Sequence, residues 1–234
     1  MQPDTAFSGF ELREGLLYDY SENAYPTRLH GWTSRYSSSV QESSYFGYVY
    51  EGHPTLFVGE LEYQLHPGQY FCSHSQVSIV GGTGIIIERL GYRGMHSVGG
   101  PVEDWGRLKY IDGCTDSLLI PPVKMGDPCL NALFFPPQTD QTSHTHPSMR
   151  VGMVIRGKGE CITPSQTYDL QPGMVFIIHE DGAHKFRTVE DHSLVVVAYH
   201  PDSDFGPVDE DHPMINRTIV DGVSASQLKD IQTV

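Results

Sequence analysis

The sequence predicts an all-β protein made of two similar domains, and three observations support this prediction. Glycine and proline contribute 24 and 16 of the 234 residues, which is about 17 % of the chain against roughly 12 % in average proteins. Short segments rich in β-branched and aromatic residues alternate with turn residues, whereas apolar residues at helical spacing are nearly absent. In addition, one stretch of the chain recurs 105 positions further along.

The repeat defines the predicted domains. The segment GYVYEG at 47–52 resembles GMVIRG at 152–157. The same separation relates five further identical pairs: Tyr63 and Tyr168, Leu65 and Leu170, Pro67 and Pro172, Gly68 and Gly173, and Phe71 and Phe176. Several of these residues set turn geometry, so each unit is predicted to contain strands joined by a glycine turn and a Pro-Gly turn. We expect domains at residues 1–118 and 119–222, followed by a tail at 223–234.

The strand pattern is clearest in short segments of both halves. They are Tyr48–Tyr50, Thr55–Val58, Tyr70–Cys72, Ile85–Glu88, Leu130–Phe135, Met153–Ile155, Val175–Ile178 and Leu194–Tyr199. Turn residues such as those at 157–159 and 171–173 separate them. The tail has the only helical pattern, and one short helix is expected at 225–231.

The charge of the chain excludes two classes of partner. The net charge is −14, from 15 basic and 29 acidic residues. Electrostatic binding to nucleic acid or to an anionic membrane surface requires a basic footprint, so neither partner is expected. The N-terminus lacks the pattern of a signal peptide, and no apolar run reaches the length of a membrane span. We therefore expect a cytoplasmic protein whose four cysteines are buried thiols rather than disulfides.

Three histidines in the second half have the spacing of metal ligands. His144 and His146 are two positions apart, and residues at that spacing point to the same side of a strand. His184 follows after a further predicted strand and can complete a three-ligand site on one face. Neutral imidazole suits divalent Fe, Ni, Cu, Zn and Mn. The alternative is that these histidines only form hydrogen bonds in the core.

These residues together resemble the cupin superfamily, whose fold is a β-barrel built as a double-stranded β-helix, one form of the jelly roll. The matching motif residues are His144, His146, Gly152, Gly157, Pro172, Gly173 and His184. Because the resemblance covers both halves, it implies a bicupin with two such barrels in one chain. It also implies a divalent metal, with Fe(II) as the first choice and Mn, Ni or Zn as alternatives.

Two departures from the family motif refine this resemblance. The family places a glutamate at about position 150 or 151, where this sequence has Arg150 and Val151. The sequence therefore resembles the cupins that bind Fe(II) through three histidines, such as thiol dioxygenases and gentisate-type dioxygenases. In the first half, the positions matching the three histidines are Ser39, Gln41 and Ile79. The first domain is accordingly expected to be a degenerate cupin without metal ligands.

Two further residues are candidates for a catalytic role. Arg150 is an even number of positions from His144 and His146, so an unbroken strand would direct it inward. An inward arginine needs an anion, which either a substrate carboxylate or phosphate or a protein Asp or Glu would supply. An outward arginine would form only a surface ion pair. His179 is a candidate for proton transfer or for supporting the metal ligands, with exposure to solvent as its alternative.

The remaining late histidines are expected in solvated loops. His192, His200 and His212 lie in acidic or proline-containing stretches. The segment 202–216 is long and polar, and such segments often border functional sites as a lid or strap.

These features together predict a mononuclear non-haem metal enzyme, an oxidoreductase of dioxygenase type acting on a small anionic organic substrate. Three neutral ligands would leave the full charge of a divalent ion to attract that substrate. One alternative is a non-redox isomerase, lyase or hydrolase that uses the same site. Another is a small-ligand sensor without catalytic activity. A homodimer is compatible with each of these functions.

Overall fold

The structure is a computed structural model that describes residues 4–39, 42–189, 191–203 and 213–232. It is almost entirely β. The strands are β1 (Phe7–Phe10), β2 (Gly15–Tyr20), β3 (Thr27–Trp32), β4 (Arg35–Ser37), β5 (Ser43–Glu51), β6 (Thr55–Val58), β7 (Leu61–Gln64), β8 (Tyr70–Ser73), β9 (Val77–Val80), β10 (Thr83–Leu90), β11 (Ser97–Gly99), β12 (Leu108–Lys109), β13 (Thr115–Ile120), β14 (Cys129–Phe135), β15 (Arg150–Gly157), β16 (Gly159–Ile162), β17 (Thr167–Leu170), β18 (Val175–Ile178), β19 (Lys185–Arg187), β20 (Leu194–His200), β21 (Ile219–Val220) and β22 (Val223–Ser224). All of the predicted strand segments fall within these elements, so the all-β prediction is confirmed.

Each half of the repeat forms a larger and a smaller antiparallel sheet. In the first half, six strands in the order β11-β8-β5-β10-β3-β2 face four strands in the order β4-β9-β6-β7. In the second half, seven strands in the order β1-β18-β15-β20-β14-β13-β12 face three strands in the order β17-β16-β19. Each pair of sheets encloses its own apolar core. This is the two-barrel arrangement predicted from the sequence.

The repeated glycines have the same structural role in both barrels. Gly47 on β5 pairs with Phe71 on β8, and Gly152 on β15 pairs with Phe176 on β18. A Cβ atom at Gly47 would lie 2.2 Å from the ring of Phe71, and one at Gly152 would lie 2.1 Å from the ring of Phe176. Only glycine leaves room for the aromatic ring that fills each barrel, which explains why these pairs recur together.

A third core lies between the two barrels. It combines side chains from the six-stranded sheet, such as Phe46 and Ile85, with side chains from the seven-stranded sheet, such as Met153 and Tyr199. Because successive residues of a strand point to opposite faces, β15 contributes Val151, Met153 and Ile155 to this shared core and Val154 to the barrel interior. Residues 1–203 accordingly form one compact unit.

The sheets do not follow the expected boundary between domains. Strand β1 near the N-terminus pairs with β18 of the second barrel. Strand β13 spans residue 118 and pairs with β14, also in the second barrel. The first barrel therefore begins at β2 and ends at β11, and the chain enters and leaves it from strands of the second barrel.

The C-terminal part forms a second compact unit at residues 204–234. Its described residues contain helix α1 (Pro213–Arg217) and the hairpin β21–β22. The helix expected at 225–231 is replaced by two 3-10 turns, Ala225–Gln227 and Lys229–Ile231. A third 3-10 turn lies at Ile111–Gly113 in the larger unit. The start of the tail at residue 223 stays a prediction.

Two further sequence predictions can be compared with the described residues. All four cysteines, namely Cys72, Cys114, Cys129 and Cys161, are free and buried, as expected. No helix in the described ranges is long and apolar enough to cross a membrane.

Asp4 attaches the start of β1 to the three-stranded sheet. Its Oδ1 accepts a hydrogen bond from the backbone of Ala6 at 2.8 Å. Its Oδ2 accepts hydrogen bonds from Thr163 at 2.7 Å, Ser165 at 2.6 Å and Tyr168 at 2.8 Å. Burial opposes ionisation, but these hydrogen bonds outweigh it and lower the pKa of Asp4 to about 2.

We predict that Asp4→Asn lowers the free energy of unfolding at pH 7 by about 1–2 kcal/mol, the usual scale for hydrogen bonds to a charged group. The folded-state pKa is lower than the ordinary value of 3.8, so this stabilisation is present above about pH 4 and is lost as the pH falls toward about 2. Urea denaturation at pH 7 and pH 3 measures the difference. The control is Asp169→Asn, which alters an exposed carboxylate on β17. A constant difference between wild type and Asp4→Asn at both pH values would contradict the prediction.

Candidate metal centre

The three predicted ligands meet at one end of the second barrel. His144 and His184 form a single β-bridge in which each backbone N–H donates to the carbonyl of the other residue at 3.0 Å. His146 follows in a loop, and its carbonyl accepts a hydrogen bond from Asp181 at 2.9 Å. The strand expected through His144 and His146 is therefore not formed. Backbone pairing between loops brings the histidines together instead.

The imidazole rings face a common point. The possible ligand atoms of the three histidines all lie within 4.8 Å of one another. The ring centroids are 4.6 Å apart for His144 and His184, 5.0 Å for His144 and His146, and 5.2 Å for His146 and His184. His184 is buried, whereas the other two are partly exposed. The cluster could hold a metal ion that is accessible from one side.

Two hydrogen bonds determine which imidazole nitrogen is available. Nδ1 of His144 lies 2.8 Å from the carbonyl of Thr142, and Nδ1 of His184 lies 2.9 Å from the carbonyl of Gly182. A carbonyl only accepts, so both Nδ1 atoms carry the proton and the Nε2 lone pairs remain free. Metal-bound histidines in proteins are commonly oriented by such a second hydrogen bond.

The surroundings keep two of the ligands neutral. Burial lowers the pKa of His146 to about 3, and the positive charge of Arg150 lowers it further in the same direction. Burial also lowers the pKa of His184 to about 4, despite its hydrogen bond to Gly182. Both imidazoles are therefore unprotonated at pH 7, as metal ligands must be.

Arg150 is directed into the same interior, although the backbone at 147–149 is not a strand. Its side chain is only 13 % exposed. Its Nη1 donates to the Ser148 hydroxyl at 2.5 Å and to the carbonyls of Ser148 and Met149, both at 3.1 Å. The same nitrogen lies 3.5 Å from Asp202 Oδ1, which also accepts from the Ser148 hydroxyl. The protein thus supplies an anion for Arg150, which was one of the two alternatives for an inward arginine.

His200 is a residue of this region that the sequence analysis assigned to a solvated loop. It is the last residue of β20 and pairs with Cys129 of β14. Burial lowers the pKa of His200, and the charges of Arg150 and His146 act in the same direction. The valine-rich run before His200 predicts a strand that ends at Tyr199. Extending that strand by one residue would have placed His200 on the face opposite to Tyr199, toward the barrel interior.

His179 does not join the three histidines in the structure. Its Nε2 lies 2.8 Å from the hydroxyl of Ser8, and its Nδ1 is hydrogen-bonded to the hydroxyl of Tyr20. Its ring contacts are with Tyr18 and Tyr20. The side chain follows Ile177 toward the core between the barrels, because it is two positions further along the chain. We therefore assign His179 to the connection between β1, β2 and β18 rather than to the metal centre.

The other late histidines contribute nothing to this cluster. His192 is exposed, as expected. His212 and most of the predicted lid segment 202–216 lie outside the described residues, which leave out 204–212.

Comparisons with known proteins agree with this fold. Residues 133–200 match the family model of the cupin domain. No curated protein sequence matches the chain significantly.

Several solved structures share the fold of the whole chain. A putative glyoxylate-induced protein from Pseudomonas aeruginosa is 11 % identical, with a TM-score of 0.61 over 88 % of this chain and 84 % of that protein. Protein Ylba from E. coli is 14 % identical, with a TM-score of 0.60 over 89 % of this chain and 95 % of that protein. A salicylate 1,2-dioxygenase variant from Pseudoaminobacter salicylatoxidans in complex with gentisate is 11 % identical, with a TM-score of 0.54 over 78 % and 71 %. The family match therefore identifies residues 133–200 as a cupin domain, and most of the chain shares the cupin fold of these solved structures.

Proposed function

We propose that this chain is a mononuclear non-haem metal enzyme, with Fe(II) as its metal, and that it acts as a dioxygenase on a small anionic organic substrate. The observation that carries the proposal is the set of three imidazoles whose possible ligand nitrogens all lie within 4.8 Å of one another. The likeness to a salicylate 1,2-dioxygenase supports the reaction class at the level of the fold only.

The donor set fits a divalent transition metal. His144, His146 and His184 would hold the ion through neutral nitrogens, which suit iron, zinc, nickel and manganese. Within the described residues, no second group of three or more His, Cys, Asp or Glu side chains converges in this way. Three protein ligands leave further coordination positions open, and a bound Fe(II) ion would supply the redox chemistry with dioxygen.

The charges around the cluster favour an anionic substrate. Imidazole binds a metal ion in its uncharged form, so a divalent ion held by three histidines would keep its full positive charge. Arg150 is near enough to lower the pKa values of His146 and His184. Its Nη1 is occupied by protein acceptors, but its Nε is buried and has no partner among the described residues. We propose that this nitrogen helps to orient the substrate anion.

The first barrel is proposed to be a degenerate cupin with a structural role. Of the positions that match the three histidines, Ile79 is fully buried in the apolar core of that barrel. Ser39 is exposed, and Gln41 lies outside the described residues. The cytoplasmic location and the homodimer expected from the sequence stay predictions.

We predict that His144→Ala and His184→Ala each lower the affinity for zinc by about 100-fold or more. Each substitution removes a ligand itself, which is a larger change than removing the hydrogen bond that orients a ligand. Elemental analysis after dialysis against a fixed zinc concentration measures the effect. His192→Ala, an exposed histidine of the same barrel, is the matched control. Full occupancy in both single-ligand variants would exclude the metal site.

We predict that protein reconstituted anaerobically with Fe(II) consumes dioxygen when a chelating carboxylic acid is added. The panel should include 2-hydroxy acids, 2-oxo acids and ortho-hydroxyaryl acids, and zinc-loaded protein is the control. Dioxygen uptake should require iron. Turnover that survives replacement of iron by zinc would instead identify non-redox Lewis-acid chemistry.

We predict that Arg150→Met raises the KM for the acid by roughly 10–100-fold while metal content is unchanged, because a hydrogen bond to a charged group contributes about 1.5–3 kcal/mol. Steady-state kinetics and elemental analysis of the same samples separate the two effects. Arg156→Met is the control, because Arg156 lies on the same strand and pairs with the exposed Asp104 at 2.8 Å. Loss of metal together with activity would show that Arg150 is purely structural.

A further inference from the structure

Arg150 and His200 are neighbours across two strands. Strands β15 and β20 pair in antiparallel register, with Val151 opposite Tyr199 and Gly152 opposite Ala198. Extending this register by one residue places Arg150 opposite His200. Tyr199 points into the core between the barrels, so alternation directs His200 to the barrel interior. Directly opposed residues on one face have Cβ atoms about 4.5–5.5 Å apart.

Each of these two side chains has a buried nitrogen that lacks a partner. Among the described residues, no hydrogen-bond acceptor or donor reaches Nε of Arg150 or Nε2 of His200. Leaving such a group unpaired in the interior is unfavourable, because the group loses its hydrogen bonds to water and gains none in return. A polar ligand that reached both nitrogens would remove this cost, whereas the surrounding protein does not.

The position of the pair relates it to the three-histidine cluster. The charges of both Arg150 and His146 act on His200, and the charge of Arg150 acts on His146 and His184. Arg150 also follows His146 by four residues and pairs with Ile178 at the end of β18, from which the chain continues to His184. The pair and the cluster therefore lie at the same end of the second barrel. Asp202 lies 3.5 Å from Arg150 and balances much of its charge. Recognition by the pair must then rest on hydrogen bonds, with net positive charge supplied by the metal ion.

We infer that Arg150 and His200 form a carboxylate-binding subsite next to the metal centre, in which Arg150 Nε and His200 Nε2 share one oxygen of a small chelating carboxylate. The inference rests on the proposed metal site but not on reaction with dioxygen. The ligand class is a carboxylic acid whose adjacent carbon carries a further oxygen donor, such as oxalate or a 2-hydroxy acid. Such an acid can bind the ion through two oxygens and still present one to the pair.

Histidine NMR with zinc-loaded protein tests this subsite. Zinc is diamagnetic, so the ring nitrogens of His200 can be observed directly, and their signals are assigned from their absence in His200→Leu. Oxalate is the probe, and azide is the comparison because it binds metal ions but has no carboxylate. We expect oxalate to shift the His200 signals. We further expect His200→Leu to raise the Kd for oxalate about 10-fold and to change the Kd for azide by less than about twofold.

Two variants control for indirect effects. His200→Gln keeps a side-chain N–H donor and should restore much of the oxalate affinity that His200→Leu loses. His192→Leu alters an exposed histidine near the start of the same strand and should bind oxalate like the wild type. Equal loss of affinity for both anions in His200→Leu and His200→Gln would indicate a structural effect and would overturn the inference.

The remaining outcomes separate this inference from the proposed function. If oxalate does not shift the His200 signals of zinc-loaded protein, the proposed subsite is overturned. Protein that holds no zinc but whose His200 signals respond to oxalate supports the subsite and contradicts the metal centre. Protein that holds no zinc and shows no response contradicts both. A responsive zinc-loaded protein whose iron form consumes no dioxygen supports the subsite and contradicts the proposed dioxygenase reaction.

Discussion

Burial of strand β15 on both faces is the constraint on which the candidate site depends. Its odd-numbered residues Val151 and Met153 are almost completely buried in the core between the barrels. Its even-numbered residues Gly152 and Val154 face the interior of the second barrel, where Gly152 accommodates the ring of Phe176. A shift of one residue in the register of this strand would turn the side chains of each face to the opposite face of the sheet. The register is therefore fixed, and it directs Arg150 into the polar end of the barrel beside the histidines.

The same packing explains the electrostatics of that end. Burial keeps His146 and His184 neutral, and Arg150 adds to this effect because a second positive charge nearby is unfavourable. Arg150 itself is tolerated in the interior because Asp202 and three backbone or hydroxyl oxygens surround one of its terminal nitrogens. Its Nε is buried and has no partner among the described residues. The chain is strongly acidic as a whole, yet this end of the second barrel suits a cation and an anion together.

The two barrels depend on each other for more than a shared core. The chain begins in the sheet of the second barrel, builds the first barrel, and returns. Asp4 attaches the first strand to the three-stranded sheet, and His179 links that strand to Tyr20 of β2. His179 therefore lies close in sequence to the ligand His184 but serves the connection between the barrels. The two halves are related by a constant separation of 105 residues, yet β1 and β13, which lie in the first predicted domain, pair with strands of the second barrel.

The all-β class, the duplication and the three histidines could be predicted from the sequence alone. These features are local: a Pro-Gly turn, a glycine beneath an aromatic ring, or a His-x-His pair is recognisable without knowing what packs against it. The family resemblance then supplied the fold. The contacts that these residues make could be identified only in the three-dimensional structure. It showed that Asp202 pairs with Arg150, that His179 bonds Ser8 and Tyr20 instead of joining the three histidines, and that His200 ends a strand rather than lying in a loop. It also placed β1 in the second barrel. Each of these outcomes depends on pairing between segments far apart in the chain, where strand register and burial, rather than neighbouring residues, choose which side chains meet.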